Sequence, residues 1–144
     1  MNDLKLENQL CFPLYAASKE LIKKYKPVLD KFDLTYTQYL VMLVLWEDNS
    51  INVKTLGERL MLDSGTLTPL LKKMESKGYV KREVNDKDER NLVISLTEVG
   101  KNLKEKCSSV PKEVGKCLNL NENEAIILYS LLYKVIGNIK DTSM

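Results

Sequence analysis

The segment from Asp63 to Glu75 alternates apolar and polar positions with the period of an α-helix. Its apolar residues fall at i, i+3, i+4 and i+7, so one face of the predicted helix points to a core. These apolar residues are Leu67, Leu70, Leu71 and Met74. The opposite face carries hydroxyl and lysine side chains, namely Ser64, Thr66, Thr68, Lys72 and Lys73. Small hydroxyls can approach base edges and phosphates closely, and lysines are attracted to a phosphate backbone.

A second apolar-striped segment lies immediately upstream, from Asn52 to Met61. Its stripe consists of Val53, Leu56 and Leu60. Two short helices joined by a tight turn, the second with a hydroxyl-rich N-terminus, are typical of a helix-turn-helix that reads DNA.

Two strand-like segments follow the helix pair, Tyr79–Glu83 and Asn91–Leu96. In the second, Leu92, Ile94 and Leu96 alternate with Asn91, Val93 and Ser95. The charged loop Val84–Arg90 between them predicts a hairpin whose tip reaches an adjacent minor groove. Each element alone also fits a solvated hairpin beside an ordinary amphipathic helix. The ordered set of four favours the winged form of the DNA-binding motif.

Apolar stripes also mark the N-terminal part of the chain. Leu6, Leu10, Leu14, Ala17 and Leu21 predict a long first helix. Pro13 lies inside this stripe, and we expect it to weaken or bend the helix, because proline lacks an N–H and its ring crowds the preceding turn. The sequence Thr35–Gln38 has the form of a capping box and opens a second apolar helix, Tyr39–Trp46.

The C-terminal third is also predicted to be helical. Thr97 is placed to cap a helix from Glu98 to about Ser108, and Pro111 and Gly115 punctuate the stretch that follows. Asn121 then opens a last helix. Its apolar stripe is formed by Ala125, Leu128, Leu132, Val135 and Ile139.

The helices at the two ends cannot all bury their apolar stripes against a small central winged domain. The simplest solution is that the terminal helices of two copies interdigitate in an obligate homodimer. A compact monomer whose terminal helices pack on each other is the alternative. We therefore predict one mainly α domain, 1–144, with a small β-hairpin wing: residues 1–33 and 98–144 dimerise, and residues 34–97 form the winged helix-turn-helix.

Composition supports one globular domain, since 44% of the 144 residues are hydrophobic and 29% are charged. The net charge of +2 is too small to indicate nucleic-acid binding by itself. The distribution of charge is more informative, because residues 51–82 contain seven Lys or Arg and only three Asp or Glu. No apolar run is long enough for a membrane span, and the N-terminus lacks the basic-then-apolar order of a secretory signal. We expect a cytoplasmic protein without a membrane partner.

The chain has three cysteines, Cys11, Cys107 and Cys117, and no histidine. The cysteines form no CxxC pair, so we expect no metal site and no cofactor. Without histidine, the usual base for a Ser or Cys nucleophile is missing, which argues against an enzyme. In a reducing compartment the three thiols are expected to be free.

Several of these motifs together resemble the MarR family of winged-helix repressors. The family-level marks are the Asp63–Glu75 helix, Asp88–Arg90 before a strand, and Leu96–Glu98 leading to Gly100. A narrower resemblance, to the thiol-based oxidant-sensing branch, rests on Leu6–Phe12, Leu14–Tyr15, Tyr25–Pro27, Leu34–Tyr36 and Asp63–Pro69. That branch includes organic-hydroperoxide-resistance repressors and staphylococcal redox regulators.

The resemblance implies that Cys11 senses oxidants. On its own, a lone cysteine on a helix is more often a small buried hydrophobe. In the family, Tyr25 and Tyr36 would donate hydrogen bonds to the Cys11 sulfur across the dimer interface, and Tyr15 would line the pocket. Cys117 is the better candidate for a resolving thiol and Cys107 the second, although incidental thiols and a low-molecular-weight thiol partner fit as well.

The predicted partner is a pseudo-palindromic double-stranded DNA operator, released when an organic hydroperoxide oxidises Cys11. We expect Ser64, Thr66, Thr68 and Lys73 in the major groove, beside Pro69 of the branch motif. Lys72 is expected to contact phosphate. Arg90 would enter the minor groove with Asp88 orienting its guanidinium.

Three other functions compete with this interpretation. A MarR-type repressor controlled by a small aromatic ligand, with Cys11 structural, would share the DNA-binding residues. A thiol peroxidase would use Cys11 as a turnover nucleophile. An interaction module would have a wing that no longer binds DNA.

Overall fold

The computed structural model describes residues 3–84 and 91–142. Over these residues the helices are α1 (Cys11–Leu29), α2 (Tyr36–Asp48), α3 (Val53–Leu60), α4 (Ser64–Ser76), α5 (Glu98–Lys106), α6 (Val110–Leu118) and α7 (Glu122–Asp141). The strands are β1 (Ser50–Asn52), β2 (Val80–Val84) and β3 (Leu92–Leu96). Single 3-10 turns lie at Leu6–Asn8 and Asp30–Phe32. The predicted fold class, mainly helical with a small β wing, is confirmed.

Helix α2 runs through the core. It begins at the predicted capping box, in which the Gln38 amide donates to the Thr35 hydroxyl oxygen and the Gln38 side chain accepts from the Thr35 amide. This reciprocal pairing satisfies two amides that the helix itself leaves without partners. Val41, Met42 and Leu45 are completely buried. The remaining elements of the winged domain pack around this helix.

The helix-turn-helix forms where the sequence predicts it. Helix α3 is capped by Asn52, whose side-chain oxygen accepts from the amides of Lys54 and Thr55. It ends at Leu60, and the next residue, Met61, adopts a left-handed conformation with φ of 58°. Asp63 then caps α4 by accepting from the Thr66 amide at 2.7 Å. The predicted apolar stripe of α4 is buried throughout, with Leu67, Leu70, Leu71 and Met74 in the core.

The wing is part of a three-stranded antiparallel sheet in the order β1-β3-β2. The two predicted hairpin strands are present, and Val80 faces Leu96 while Val84 faces Leu92. Strand β1 was not predicted, because three residues are too few to show an alternating pattern. The wing tip, with Asp88 and Arg90, lies outside the described residues.

The prediction of a first helix spanning Leu6 to Leu21 was wrong at its start. Leu6 lies in a separate 3-10 turn, and α1 begins at Cys11. Pro13 is therefore the third residue of α1. The first four amides of a helix have no intrahelical acceptor, so a proline there removes no hydrogen bond. The expected weakening of the helix at Pro13 does not occur.

The helix break expected at Pro111 and Gly115 was also wrong. Both residues lie within α6, Pro111 as its second residue and Gly115 in its interior. Proline is well tolerated in the first turn, where its φ suits a helix. The real break lies between Lys106 and Val110, and the buried Cys107 follows directly after α5.

The two ends of the chain leave apolar side chains in solvent. No residue of α7 is buried, and Ile126, Tyr129 and Ile139 are 57%, 65% and 66% exposed. At the other end, Leu10 is 87% exposed. Contiguous apolar surface of this kind marks an interaction face. Among the described residues, no helix combines the length and the hydropathy that a bilayer crossing requires.

Gly100, in the first turn of α5, fixes how closely α5 approaches the corner between α4 and β2. A Cβ atom at this position would overlap the backbone carbonyl oxygen of Tyr79 and crowd Leu96. Overpacking of this kind costs about 1–3 kcal/mol. We expect Gly100→Ala to lower the urea midpoint of unfolding, measured at fixed protein concentration.

Gly115→Ala is the matched control, because a Cβ there meets no heavy atom within 4 Å. Inside α6 that change should raise the free energy of unfolding by roughly 0.5–1 kcal/mol. Equal midpoints for the two variants would contradict the packing described for Gly100.

Candidate nucleic-acid interface and thiol site

Helix α4 presents its hydroxyl and lysine side chains on the face opposite its buried stripe. All of the side chains on this face are exposed: Ser64, Thr66, Thr68, Pro69, Lys72 and Lys73. The hydroxyls occupy the first turns, where the helix dipole adds partial positive charge. The lysines lie one turn further along. A polyanion can therefore approach this face without displacing any core residue.

The exposed face is held at a fixed angle to the wing by an ion pair. Arg82 on β2 donates from its backbone amide to Glu75 Oε2 at 3.1 Å and from Nε to Glu75 Oε1 at 3.2 Å. Its Nη2 also lies 3.2 Å from the same oxygen. Glu75 is in the last turn of α4, so this ion pair couples α4 to β2. No sequence pattern predicted this ion pair, although Glu75 and Arg82 are only seven positions apart.

A second ion pair holds α3 against the end of α2. Arg59 donates from Nη1 to Asp48 and from Nη2 to Glu47, both at 2.8 Å. The hydrogen bond and the charge of Glu47, followed by the charge of Asp48, raise the pKa of Arg59 above its ordinary value. These contacts are exposed, so they orient α3 more than they stabilise the fold. They join residues too far apart in the sequence to be predicted.

The three thiols lie in different environments. Cys11 is exposed at the first residue of α1, and Cys117 is exposed on α6. Cys107 is 2% exposed, and burial raises the pKa of its thiol. A buried thiol with a raised pKa is poorly reactive, because the thiolate is the nucleophile. The structure therefore leaves Cys11 and Cys117 as the accessible thiols among the described residues.

Two of the three predicted sensor tyrosines lie together. The rings of Tyr25 and Tyr36 are 4.6 Å apart, and Tyr39 lies 5.9 Å from Tyr25. Burial raises the pKa of Tyr25 and Tyr36 above the ordinary value of a tyrosine, and it raises the pKa of Tyr39 to about 12. All three hydroxyls therefore keep their protons at neutral pH and can act as donors. Tyr15 is separate from this cluster, 62% exposed beneath the ammonium of Lys19.

Cys11 and Tyr25 of one chain cannot meet. They lie on the same helix, fourteen positions apart, which corresponds to about 21 Å at 1.5 Å per residue. That distance is several times the reach of a tyrosine side chain. A Cys11–Tyr25 contact therefore requires a second chain, as the resemblance to the oxidant-sensing branch implies.

An apolar cleft of about 510 Å³ lies between α2 and α5. Its lining includes Tyr39, Leu43, Trp46 and Pro111. Trp46 is fixed there by a hydrogen bond from its indole nitrogen to the Gly100 carbonyl at 2.9 Å. The cleft did not emerge from the sequence, because its lining comes from segments some sixty residues apart.

Known proteins resemble the chain over nearly its whole length. A family model of the transcriptional regulators SarA and Rot matches residues 23–107. The organic hydroperoxide resistance transcriptional regulator of Bacillus subtilis is 50% identical over 136 residues, which covers 94% of this chain and 92% of the relative. The HTH-type transcriptional regulator SarZ of Staphylococcus aureus is 53% identical over 138 residues, which covers 96% and 93%.

The fold is similar to that of AbfR, a Staphylococcus epidermidis protein solved in several states. Reduced AbfR bound to DNA gives a TM-score of 0.81 at 36% identity and covers 97% of this chain and 96% of that one. Overoxidised AbfR bound to DNA gives 0.76 at 38%, covering 93% and 94%. The disulfide-formed state gives 0.65 at 38%, covering 90% and 92%. The present chain thus has a shape closer to the reduced state than to the disulfide state.

Proposed function

The chain belongs to the SarA/Rot family of transcriptional regulators and has the winged-helix fold of MarR-type proteins. We propose that it is a DNA-binding regulator controlled by oxidation of Cys11. One observation carries the proposal. The exposed Cys11 lies at one end of α1, while Tyr25, whose hydroxyl could bind the sulfur, lies about 21 Å away near the other end of the same helix, beside Tyr36 of α2. A second, antiparallel copy would bring the two together.

DNA recognition is assigned to α4 in the major groove. Ser64, Thr66, Thr68 and Lys73 would face base edges, and Lys72 would face phosphate. The exposure of all these side chains on one face supports the assignment. Asp88 and Arg90 of the wing remain proposed minor-groove contacts on the sequence argument alone.

The proposed assembly is a homodimer. The apolar faces of α7 and of the start of α1, which a single chain leaves in solvent, would cover each other across a two-fold axis. Residues 1–33 and 98–144 of both chains would then form the dimerisation region. Residues 34–97 of each chain would form one of the dimer's two DNA-binding domains. Two-fold symmetry would match a pseudo-palindromic operator with half-sites about 34 Å apart.

The proposed signal is an organic hydroperoxide. The Cys11 thiolate attacks the peroxide, an S–O bond forms as the O–O bond breaks, and an alcohol leaves. Cys11 is the first residue of α1, where its side chain is exposed to solvent and open to a peroxide. Tyr25 and Tyr36 of the partner subunit would donate hydrogen bonds to the sulfur, and Tyr15 would line the pocket. The reaction is stoichiometric, and we propose no catalytic turnover.

The sulfenic acid would then condense with a second thiol, forming an S–S bond and releasing water. Cys117 is exposed and available, whereas Cys107 is buried in the core of its own chain. A low-molecular-weight thiol is the other candidate. Overoxidised AbfR has been solved bound to DNA, so we propose a disulfide as the state that releases the operator.

Control by a small aromatic ligand is the second candidate function. The cleft beside Trp46 favours it, because it offers a concave volume of about 510 Å³ with aromatic and aliphatic side chains on one wall and Lys101, Lys104 and Glu105 on the other. In that case operator binding would respond to phenolic ligands under fully reducing conditions, and oxidation of Cys11 would have no effect.

The phosphate contact of Lys72 can be tested by the salt dependence of binding. The probe is the duplex that the reduced protein enriches from a random-sequence library. Each lost phosphate contact should flatten the log–log salt slope by about 0.9. We expect Lys72→Ala to weaken binding to all duplexes alike and to flatten the slope. Lys23→Ala, in which the lost lysine pairs with Glu20 on its own helix, should leave the slope unchanged. A wild-type slope for Lys72→Ala would remove Lys72 from the interface.

Cys11→Ser tests the sensing proposal on the same duplex. Treatment with cumene hydroperoxide and then a thiol should release the wild-type protein, with a loss of roughly 10³-fold in affinity, or about 4 kcal/mol. Cys11→Ser should bind as the reduced wild type does and stay bound after the same treatment. Cys107→Ser is the control and should still be released. Release of Cys11→Ser by peroxide would refute Cys11 as the sensor.

A further inference from the structure

The turn between α1 and α2 meets the end of α4 at Lys77. This lysine directly follows α4, and its ammonium is surrounded by three oxygens. Nζ donates to the Asp33 carbonyl at 2.9 Å and to Gln38 Oε1 at 3.0 Å, and it lies 3.4 Å from Asp33 Oδ1. The lysine side chain is 25% exposed and the Asp33 side chain 75%, so solvent screens the ion pair, and the hydrogen bond to Gln38 is the most shielded of the three contacts.

The oxygens that hold Lys77 belong to the hydrogen-bonded turn and capping box between α1 and α2. Asp33 adopts a left-handed conformation with φ of 52°, and the Leu34 amide donates back to the Leu29 carbonyl at 3.2 Å. Gln38 is 2% exposed, and its Oε1 accepts from both the Thr35 amide and Lys77. Lys77 is therefore bound to the capping box that starts α2.

A second hydrogen bond connects the same two parts of the molecule. The Tyr79 hydroxyl donates to the Phe32 carbonyl at 3.0 Å, and Tyr79 is 8% exposed. Phe32 immediately precedes Asp33. The segment that follows α4 is thus bound at Lys77 and Tyr79 to the turn between α1 and α2. A movement of this turn relative to α4 would break at least one of the two contacts.

The same turn carries a sensor tyrosine on its other side. Tyr36 is the first residue of α2, two positions before Gln38, and its ring contacts that of Tyr25 at a tilt of 48°. A change in the hydrogen bonding of Tyr36 therefore acts on the helical turn that binds Lys77. The ion pairs of Arg59 and Glu75 connect other pairs of elements, α3 to α2 and α4 to β2.

We propose that Lys77 is the positioning residue that transmits the state of Tyr36 to the reader helix α4, with Tyr79 as a second, weaker link. This inference rests on the proposed function, because it requires that oxidation of Cys11 weakens DNA binding. Lys77 would contact neither the oxidant nor a base. Its role is to make the position of α4 follow the position of the first turn of α2.

The test measures how strongly oxidation of Cys11 changes the affinity for DNA, and not the affinity itself. For each variant we would measure Kd for the enriched duplex in the reduced state and after hydroperoxide and thiol treatment, with Cys11 modification followed by intact mass. The ratio of the two Kd values reports the coupling. Lys77→Met keeps the aliphatic stem and removes the charge. It should lower this ratio by about tenfold or more, which lies within the usual range of coupling between two sites.

Three comparisons separate coupling from simple structural damage. Lys77→Arg keeps the charge and the donors and should recover most of the wild-type ratio. Lys23→Met, which removes an exposed lysine paired within its own helix, should leave the ratio unchanged. The rate of Cys11 modification should be the same in all variants, because Lys77 acts after the chemistry. Should Lys77→Met fail to fold, Tyr79→Phe, which loses only one hydroxyl, should lower the ratio by about threefold, somewhat less than the usual coupling between two sites.

The inference is overturned if Lys77→Met and Tyr79→Phe keep the wild-type ratio. It is also overturned if Lys77→Met weakens reduced and oxidised binding by the same factor, which would indicate a phosphate contact or a general loss of structure. Failure of the proposed function would look different, since the wild-type protein itself would then keep its affinity after oxidation.

Discussion

Apolar surface that one chain cannot cover is the constraint on which the rest of this protein depends. Helix α7 has no buried residue, and the segment before α1 exposes Leu10 almost completely. Burial in a two-fold partner would remove that surface from water at about 25 cal/mol per Å² of apolar area. The same pairing would place two α4 helices on one side of the assembly. Dimerisation, DNA spacing and sensing would then share one interface.

The length of α1 explains why sensing would need the same dimer interface. The helix holds Cys11 and Tyr25 about 21 Å apart, so neither can act on the other within a chain. Across the proposed interface, the sulfur of one chain would meet the hydroxyls of the other. Tyr36 would then connect the sulfur to the capping box, and Lys77 would connect the capping box to α4. Covalent change at one atom would thus reach the DNA surface through a few hydrogen bonds.

The sequence predicted those elements whose signal is local. The capping box at Thr35, the stripe of α4 and the two wing strands were all visible as short patterns, and the structure and the relatives confirm the winged-helix fold and the family resemblance. Pro13 and Pro111 were misjudged because the effect of proline depends on its distance from a helix start, which composition does not give. The contacts of Lys77 and Arg59 join residues remote in sequence, so no periodicity could reveal them. The DNA-binding and redox roles of individual side chains stay predictions.

A mixed dimer provides the most direct test of the claim that two chains build each sensor. One tagged chain carries Cys11→Ser, and the other carries Tyr25→Phe with Tyr36→Phe. The single remaining Cys11 of such a dimer would face the intact tyrosines of its partner. Its rate of modification by cumene hydroperoxide, followed by intact mass, should then equal that of the wild type. A rate as slow as that of the homodimer lacking both hydroxyls would show that the tyrosines act within their own chain, and it would contradict the account.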